Sequence, residues 1–334
     1  MTGRCTIATM AEVARLAGVS TATVSHVLNG TRPVREHTRR QVLAAMAEVS
    51  YSPNAAARSL ATARTRTVAL ALSAISNPYL GELLHGVEDE AAAAGYTLLL
   101  TDPHDDPGTE ATAVARLRSR VDGLLLAPSA DSSGTLEALS EQEVPVVLVD
   151  RMLGGGYDEV GAENVEPVAG LVHHLAAAGH TRIGFVAGQA GLATTVERLE
   201  GYRLGLRRAG LDYGLVLEGH SEAEPARSAV RSLLSAPDRP GALITGNNAM
   251  TIGAVQAAHD VGLAVPGDIA LAAFDDFPWA DAFSPRLTVV AQPFAEIGRE
   301  AVRLLLRRMA DADAEPRSVR LPTTFVHRDS CGCR

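Results

Sequence analysis

Between Thr67 and Phe325, short unbroken apolar runs alternate with longer stretches whose apolar positions recur at helical spacing. Val68–Leu72, Thr97–Leu100, Gly123–Leu126 and Val144–Val149 read as buried strands. Helices are expected near Tyr79–Ala94, Thr109–Arg118 and Leu136–Gln142. The rhythm restarts after Asn164 with helix Val165–Ala178, strand Ile183–Ala187, helix Thr195–Ala209, strand Leu215–Glu218 and helix Ala223–Leu234. Strand Ala242–Thr245, helix Met250–Val261, strand Ile269–Phe274 and helix Phe294–Met309 follow, ahead of extended segments around Val319–Phe325. Continuous apolar strands between amphipathic helices are the signature of largely parallel sheets covered on both faces. Two such runs imply two lobes with a cleft between them, and ligands collect beyond the carboxyl ends of such strands.

The first 66 residues have another texture. Ala11–Asn29 holds two short helical stretches around Gly18-Val19-Ser20, with Ala14, Gly18 and Val24 spaced as in a helix-turn-helix. Thr9 reads as an N-cap with Glu12 as its capping-box partner, and Ser20 as the cap of the second helix. Val13, Leu16, Ala14 and Ala17 are expected to form the buried stripe. A third helix, Glu36–Val49, should bury Val42, Leu43 and Met46. The second helix then exposes Thr21, Ala22, Ser25 and His26, side chains short enough for close approach to base edges. After Tyr51-Ser52-Pro53-Asn54 comes Ala55–Ala61, a run of helix formers too short to be stable alone. Its one conspicuous apolar side chain, Leu60, suits a wedge entering a minor-groove base step, while an ordinary linker remains the plainer reading.

Charge sharpens this division. The net charge is −9, yet residues 1–66 carry nine arginines against three acids, so this segment is basic and the remainder acidic. Positive charge is thus concentrated where phosphates would be met. Every one of the 30 basic residues is arginine. No signal peptide is expected, because Glu12 and Arg15 interrupt Ile7–Val19, and no apolar stretch is long enough to span a membrane. A cytoplasmic protein is expected. Cys5, Cys331 and Cys333, near the chain ends, suggest neither a disulfide framework nor a metal cluster, since a Cys-x-Cys tail by itself brings only two ligands.

The strand ends carry the polar residues that suit a ligand. They are Ser76–Tyr79, Ser129 and Asp150-Arg151 in the first lobe, and Gly188–Arg198, Asn247-Asn248 and Asp275-Asp276 in the second, with Trp279 behind. Arg198 can offer a two-point fork, Asp275 and Asn248 can bond vicinal hydroxyls, and Tyr79 and Trp279 offer flat faces, a set suited to a sugar or nucleobase. Structural alternatives stand beside them: Asp276 as a cap, Trp279 as core or interface, and Asp150-Arg151 as an ion pair within a lobe. Gly154-Gly155-Gly156 is not a dinucleotide fingerprint, and a phosphate-binding loop would need a lysine. His173-His174 and His180 read as surface or packing residues. Binding without turnover is expected: no enzyme, no cofactor and no metal.

These motifs together resemble the LacI/GalR family of transcriptional regulators across residues 9 to about 327. The resemblance rests on AEVARLAGVSTATVSHVLNG at 11–30, YSPNAAARSLAT at 51–62, SNPY at 76–79, GHTRIGFVAG at 179–188 and TTVERLEGYR at 194–203, with VPGDIALAAFDDFPWADAFSPRLTVVAQP at 265–293. It implies an α/β protein with a three-helix helix-turn-helix headpiece at 9–53 and a hinge helix at 54–63. A two-lobed periplasmic-binding-protein-like body follows at 64–327, with a tail at 328–334. The first lobe would take about 64–162 and 292–322, and the second about 163–291 with the C-terminal strand region. By the resemblance, DNA contacts fall on Thr21, Ala22, Thr23, Ser25, His26, Asn29 and Arg35, and in the hinge on Ala57, Leu60 and Ala61. Effector contacts fall on Tyr79, Ser129, Arg198, Asn248, Asp275 and Trp279.

The implied activity is repression at a palindromic operator by a homodimer, controlled by a small effector, read here as a sugar. A corepressor-dependent purine or nucleotide regulator, an activator, and a solute-binding receptor without a regulatory role are the alternatives. The sequence also departs from the family pattern. His26 stands where arginine is usual, Arg35 where a serine or asparagine cap is usual, Glu163 where aspartate is commoner, and Asn248 where aspartate is frequent.

Overall fold

The computed structural model describes residues 8–29, 32–51, 64–73, 80–282 and 284–333. The chain divides into two units, residues 1–65 and 66–334.

In the first unit, α1 (Met10–Ala17), α2 (Thr21–Asn29) and α3 (Glu36–Glu48) enclose a core of Val13, Ala14, Ala17, Val24, Val42 and Ala45. Thr9 Oγ1 accepts from the Glu12 amide at 3.3 Å. Gly18 closes α1 at φ 65°, a left-handed conformation that costs glycine little, and the Val19 amide bonds back to Ala14 O at 3.0 Å. Ser20 Oγ accepts from the Thr23 amide at 3.1 Å and starts α2. Leu16 and Leu43, expected inside, are instead 38% and 47% exposed, and Ala45 occupies the core. Three short helices enclose too little volume for every apolar position, so small residues take the crossings.

The second unit holds two six-stranded sheets. The first has the order β11-β5-β4-β3-β1-β2 and is parallel throughout. Its strands are β1 (Thr67–Ala71), β2 (Thr97–Thr101), β3 (Gly123–Leu126), β4 (Val146–Val149), β5 (Asp158–Ala162) and β11 (Ser318–Leu321). The helices α4 (Leu80–Ala93), α5 (Pro107–Leu117), α6 (Ser133–Glu141) and α11 (Phe294–Ala310) pack with it. The second sheet has the order β12-β10-β9-β8-β6-β7, with only the β10–β12 pair antiparallel. Its strands are β6 (Ile183–Ala187), β7 (Leu215–Glu218), β8 (Ala242–Thr245), β9 (Ala270–Phe274), β10 (Thr288–Ala291) and β12 (Thr324–Val326). It carries α7 (Val165–Ala177), α8 (Ala193–Ala209), α9 (Ala223–Leu234) and α10 (Asn248–Asp260).

The chain passes between the sheets after β5, after β10 and after β11. Consequently α11, although encoded late, packs on α4 and on β3–β5 of the first sheet. That crossing is tight: a methyl group at Gly298 would lie 2.4 Å from Leu83 O.

Strands β5 and β10 were not among the strands expected, although β10 lies in the apolar run Leu287–Ala291. In β5, DEVGA places acids in a fully buried strand. Asp158 Oδ2 accepts from Arg308 Nε at 2.7 Å and Oδ1 from Arg307 Nη1 at 3.1 Å, while Glu159 Oε2 accepts from the Leu153 and Gly154 amides. Such pairing is what permits burial of a carboxylate.

Candidate functional site

The carboxyl ends of strands from both sheets converge on one partly open cleft. β4 and β9 end alike. Asp150 follows β4 at φ 68° and Asp275 follows β9 at φ 79°. The Asp150 amide donates to Val160 O at 2.8 Å and the Asp275 amide to Val290 O at 2.9 Å. Aspartate tolerates this left-handed conformation better than most residues, and each lobe uses it to bring a carboxylate to the cleft wall.

Burial raises both carboxyls above their ordinary range. For Asp150, Arg151 and Arg198 oppose this, while Asp105 and Glu197 add to it. For Asp275, Arg198, a hydrogen bond from Gln292 and the Asn248 amide oppose it, and Asp150 adds to it. The cleft therefore holds carboxylates whose charge depends on nearby guanidinium groups.

Arg198, on α8, is fixed at several points. Its Nε donates to Asn164 Oδ1 at 2.8 Å, its Nη1 donates to Gly246 O at 2.7 Å, and its guanidinium lies 4.0 Å from the Phe274 ring centroid. Asn164 in turn donates to Glu197 Oε2 at 2.7 Å. Gln292 Nε2 donates to Asp275 Oδ1 at 2.6 Å. Asn164 and Gln292 both lie on segments that pass between the sheets, so the crossovers orient the residues that line the cleft.

In the first lobe Arg151 forms a two-point ion pair with Asp105, Nη2 to Oδ2 at 3.2 Å, and donates to Pro128 O at 3.0 Å. Asp150 and Arg151 do form an ion pair within the lobe, Oδ2 to Nε at 4.0 Å, although Asp105 makes the closer contacts to the guanidinium.

Of the residues expected to meet an effector, the cleft collects Arg198 and Asp275. Asn248 is 1% exposed and its Oδ1 accepts from the Ala249 amide; Asn247, one position earlier, stands on the cleft wall and caps α10 through Met250 N at 2.8 Å. Ser129 is turned inward, where its amide donates to Glu110 Oε2 at 2.7 Å and its hydroxyl lies 3.2 Å from Ser132 Oγ. Trp279 is 44% exposed, stands edge-on to Phe277, and does not line the cleft. Asp276 accepts from the Phe277 amide at 2.8 Å and pairs with Arg328 at 2.8 Å, which makes it structural. Tyr79 lies outside the described residues. Asp105, Asn164 and Gln292 went unrecognised as site residues in the sequence; only Asn164, at the point where the strand–helix rhythm restarts, carried a local sign.

On α2, Thr21 and Ala22 are exposed, Ser25 and His26 half-exposed, and Val24 fully buried. Thr23 is engaged in the cap with Ser20, their hydroxyls 2.9 Å apart. Arg35 precedes α3 without a side-chain capping bond and is exposed with Arg32, Arg39 and Arg40. The Asn29 side chain and residues Ala57, Leu60 and Ala61 lie outside the described set.

Residues 9–54 match the model of the bacterial regulatory proteins of the lacI family, and residues 172–331 match the periplasmic binding protein-like domain. The ribose operon repressor of Escherichia coli (strain K12) is 37% identical over 329 residues, covering 97% of this chain and 100% of that protein. The chain belongs to the LacI family. It is a DNA-binding transcription regulator and not an enzyme. Another relative, the HTH-type transcriptional repressor PurR of Aliivibrio salmonicida (strain LFI1238), is 36% identical over 97% of this chain and 99% of that protein. Among solved structures, the Lac repressor dimer bound to operator and the anti-inducer ONPF superposes with a TM-score of 0.88 at 27% identity, covering 97% of this chain and 99% of that one. Among the described residues of this LacI-family chain, no helix is long and apolar enough to cross a membrane.

Proposed function

We propose that this LacI-family regulator is an operator-specific repressor whose DNA affinity is set by a small sugar held between its lobes. The observation that carries this reading is the pairing of Asp150 and Asp275, one from each lobe, with Arg198 and Arg151 around the same cleft. Carboxylates and guanidinium groups lining one cleft match the alternating donors and acceptors of vicinal hydroxyls. The ribose operon repressor of Escherichia coli supports the same class of ligand. A purine is the second reading, favoured by the nearly equal identity to PurR.

Thr21, Ala22, Thr23, Ser25 and His26 would face the major groove, with Asn29 at the end of the helix and Arg35 on the phosphates. Ala57, Leu60 and Ala61 would enter the minor groove. A pair of headpieces in a homodimer would then read the two halves of a palindrome. Because a ligand contacting both lobes favours one lobe arrangement, it shifts the population competent for DNA by its difference in affinity between the two.

The test is thermal denaturation of the full chain with pentoses, hexoses, sugar phosphates and purines, beside Arg198→Ala. A shift with one sugar that is lost in Arg198→Ala supports the reading. A shift with purines alone replaces it with the purine reading. Operator titrations with and without the active compound then give the sign: weaker binding marks induction, tighter binding corepression.

A further inference from the structure

Away from the cleft, the fold gathers ligating atoms from two places remote in sequence. His174 lies on α7, while His327, Cys331 and Cys333 follow β12. One ligating atom from each lies within 4.8 Å of all the others. Cys333 Sγ is 3.2 Å from His174 Nε2. Cys331 is fully buried, and the His174 ring packs against both Phe325 and His327, with centroids 5.0 and 5.1 Å away.

The loop carrying the cysteines is positioned by bonds of its own. Ser330 Oγ donates to Leu271 O at 2.7 Å and accepts from the Thr288 amide at 2.8 Å, Arg328 pairs with Asp276, and Gly332 turns the chain at φ 72°. The ligating side chains therefore sit on a framework that is already ordered, which lowers the cost of gathering them.

We propose that His174, His327, Cys331 and Cys333 form a tetrahedral site for Zn²⁺ that ties the C-terminal tail to α7. Two imidazoles and two thiolates are a closed structural zinc set, and the absence of carboxylate or carbonyl ligands from it disfavours Mg²⁺ and Ca²⁺. Zinc bonds of about 2.0–2.3 Å place tetrahedral ligand atoms roughly 3.3–3.8 Å apart, so closure from the observed spacing is a matter of side-chain adjustment. Binding releases the two thiol protons and leaves a centre without net charge, suited to its partly buried place.

The test uses the full chain, prepared reduced and without a histidine tag. Zinc content is measured by mass spectrometry, and Co²⁺ is titrated into the metal-free protein. One metal per chain is expected, with a thiolate-to-cobalt charge-transfer band and the d–d spectrum of tetrahedral Co²⁺. Cys333→Ser and His327→Ala alter side chains at the margin of the cluster and should each weaken metal binding at least tenfold. Chelation should lower the melting temperature of the parent chain and leave those variants unchanged. A cobalt spectrum without a thiolate band, equal metal content in Cys333→Ser, or a cysteine cluster that only hydrogen-bonds and takes up no metal would overturn the proposal. Because Cys331 is buried, Cys331→Ser serves as a second variant only if its far-ultraviolet dichroism is that of the parent.

Discussion

Asn164 accepts the Nε proton of Arg198 at 2.8 Å, and it does so from the segment that joins the two sheets. The guanidinium is thereby aimed by a residue that does not belong to its own helix. Any change in the angle between the lobes acts on the Asn164 segment, and through it on the cleft.

Asn164→Ala should weaken effector binding by about tenfold or more, since a hydrogen bond to a charged group is worth about 1.5–3 kcal/mol. Calorimetry with the compound found in the denaturation screen measures it. Operator affinity without effector should stay unchanged, and an equal loss there would show a folding defect instead.

Asp158→Asn should destabilise the body by roughly 2–3 kcal/mol, below the figure for a fully buried pair because Arg307 and Arg308 retain some access to water. The urea midpoint should fall, with little change in slope.

The pH dependence follows from Asp275, whose carboxyl is raised by burial above the ordinary 3.8. The unfolded chain gives up this proton near 3.8 while the folded protein keeps it to higher pH. Between those values the native state binds more protons, so its stability falls as pH rises through the window. Asp275→Asn should flatten that decline in urea titrations carried upward from about pH 4, leaving the share due to Asp150. A slope identical to the parent would remove Asp275 as its source.

Leu60→Ala should cost specific operator binding far more than nonspecific binding, because a wedge acts only where a base step is opened. Anisotropy titrations at matched salt separate the two, and equal losses would reject the wedge.

Parallel strands covered on both faces are continuous apolar runs, which is why β3, β6 and β8 stand where the pattern puts them. β5 escapes because Asp158 and Glu159 interrupt its run, and their partners Arg307, Arg308 and Ser318 lie about 150 residues away. Arg198 and Asp275 could be named from the sequence because each sits at the end of an element that faces a cleft. Asn164 and Gln292 acquire their roles through crossovers, and Asp105 through its pairing with Arg151, 46 residues on; a linear pattern holds no record of either. The same holds for His174 and the cysteines, which are near in space and remote in sequence. Leu16 and Leu43 show the converse: helical periodicity marks a face, but the volume available decides which members of it are covered.

The late position of α11, β11 and β12 in the chain has a consequence for synthesis. During translation the first sheet emerges without its edge strand β11 and without the helix that covers β3–β5, and the second without its antiparallel edge β12. A nascent chain halted before Phe294 thus carries two unfinished sheets, with open strand edges and the apolar surface awaiting α11 exposed together. Both lobes reach completion only as these final elements leave the ribosome, so truncation there should send the whole body to chaperones or aggregates and not merely remove one lobe.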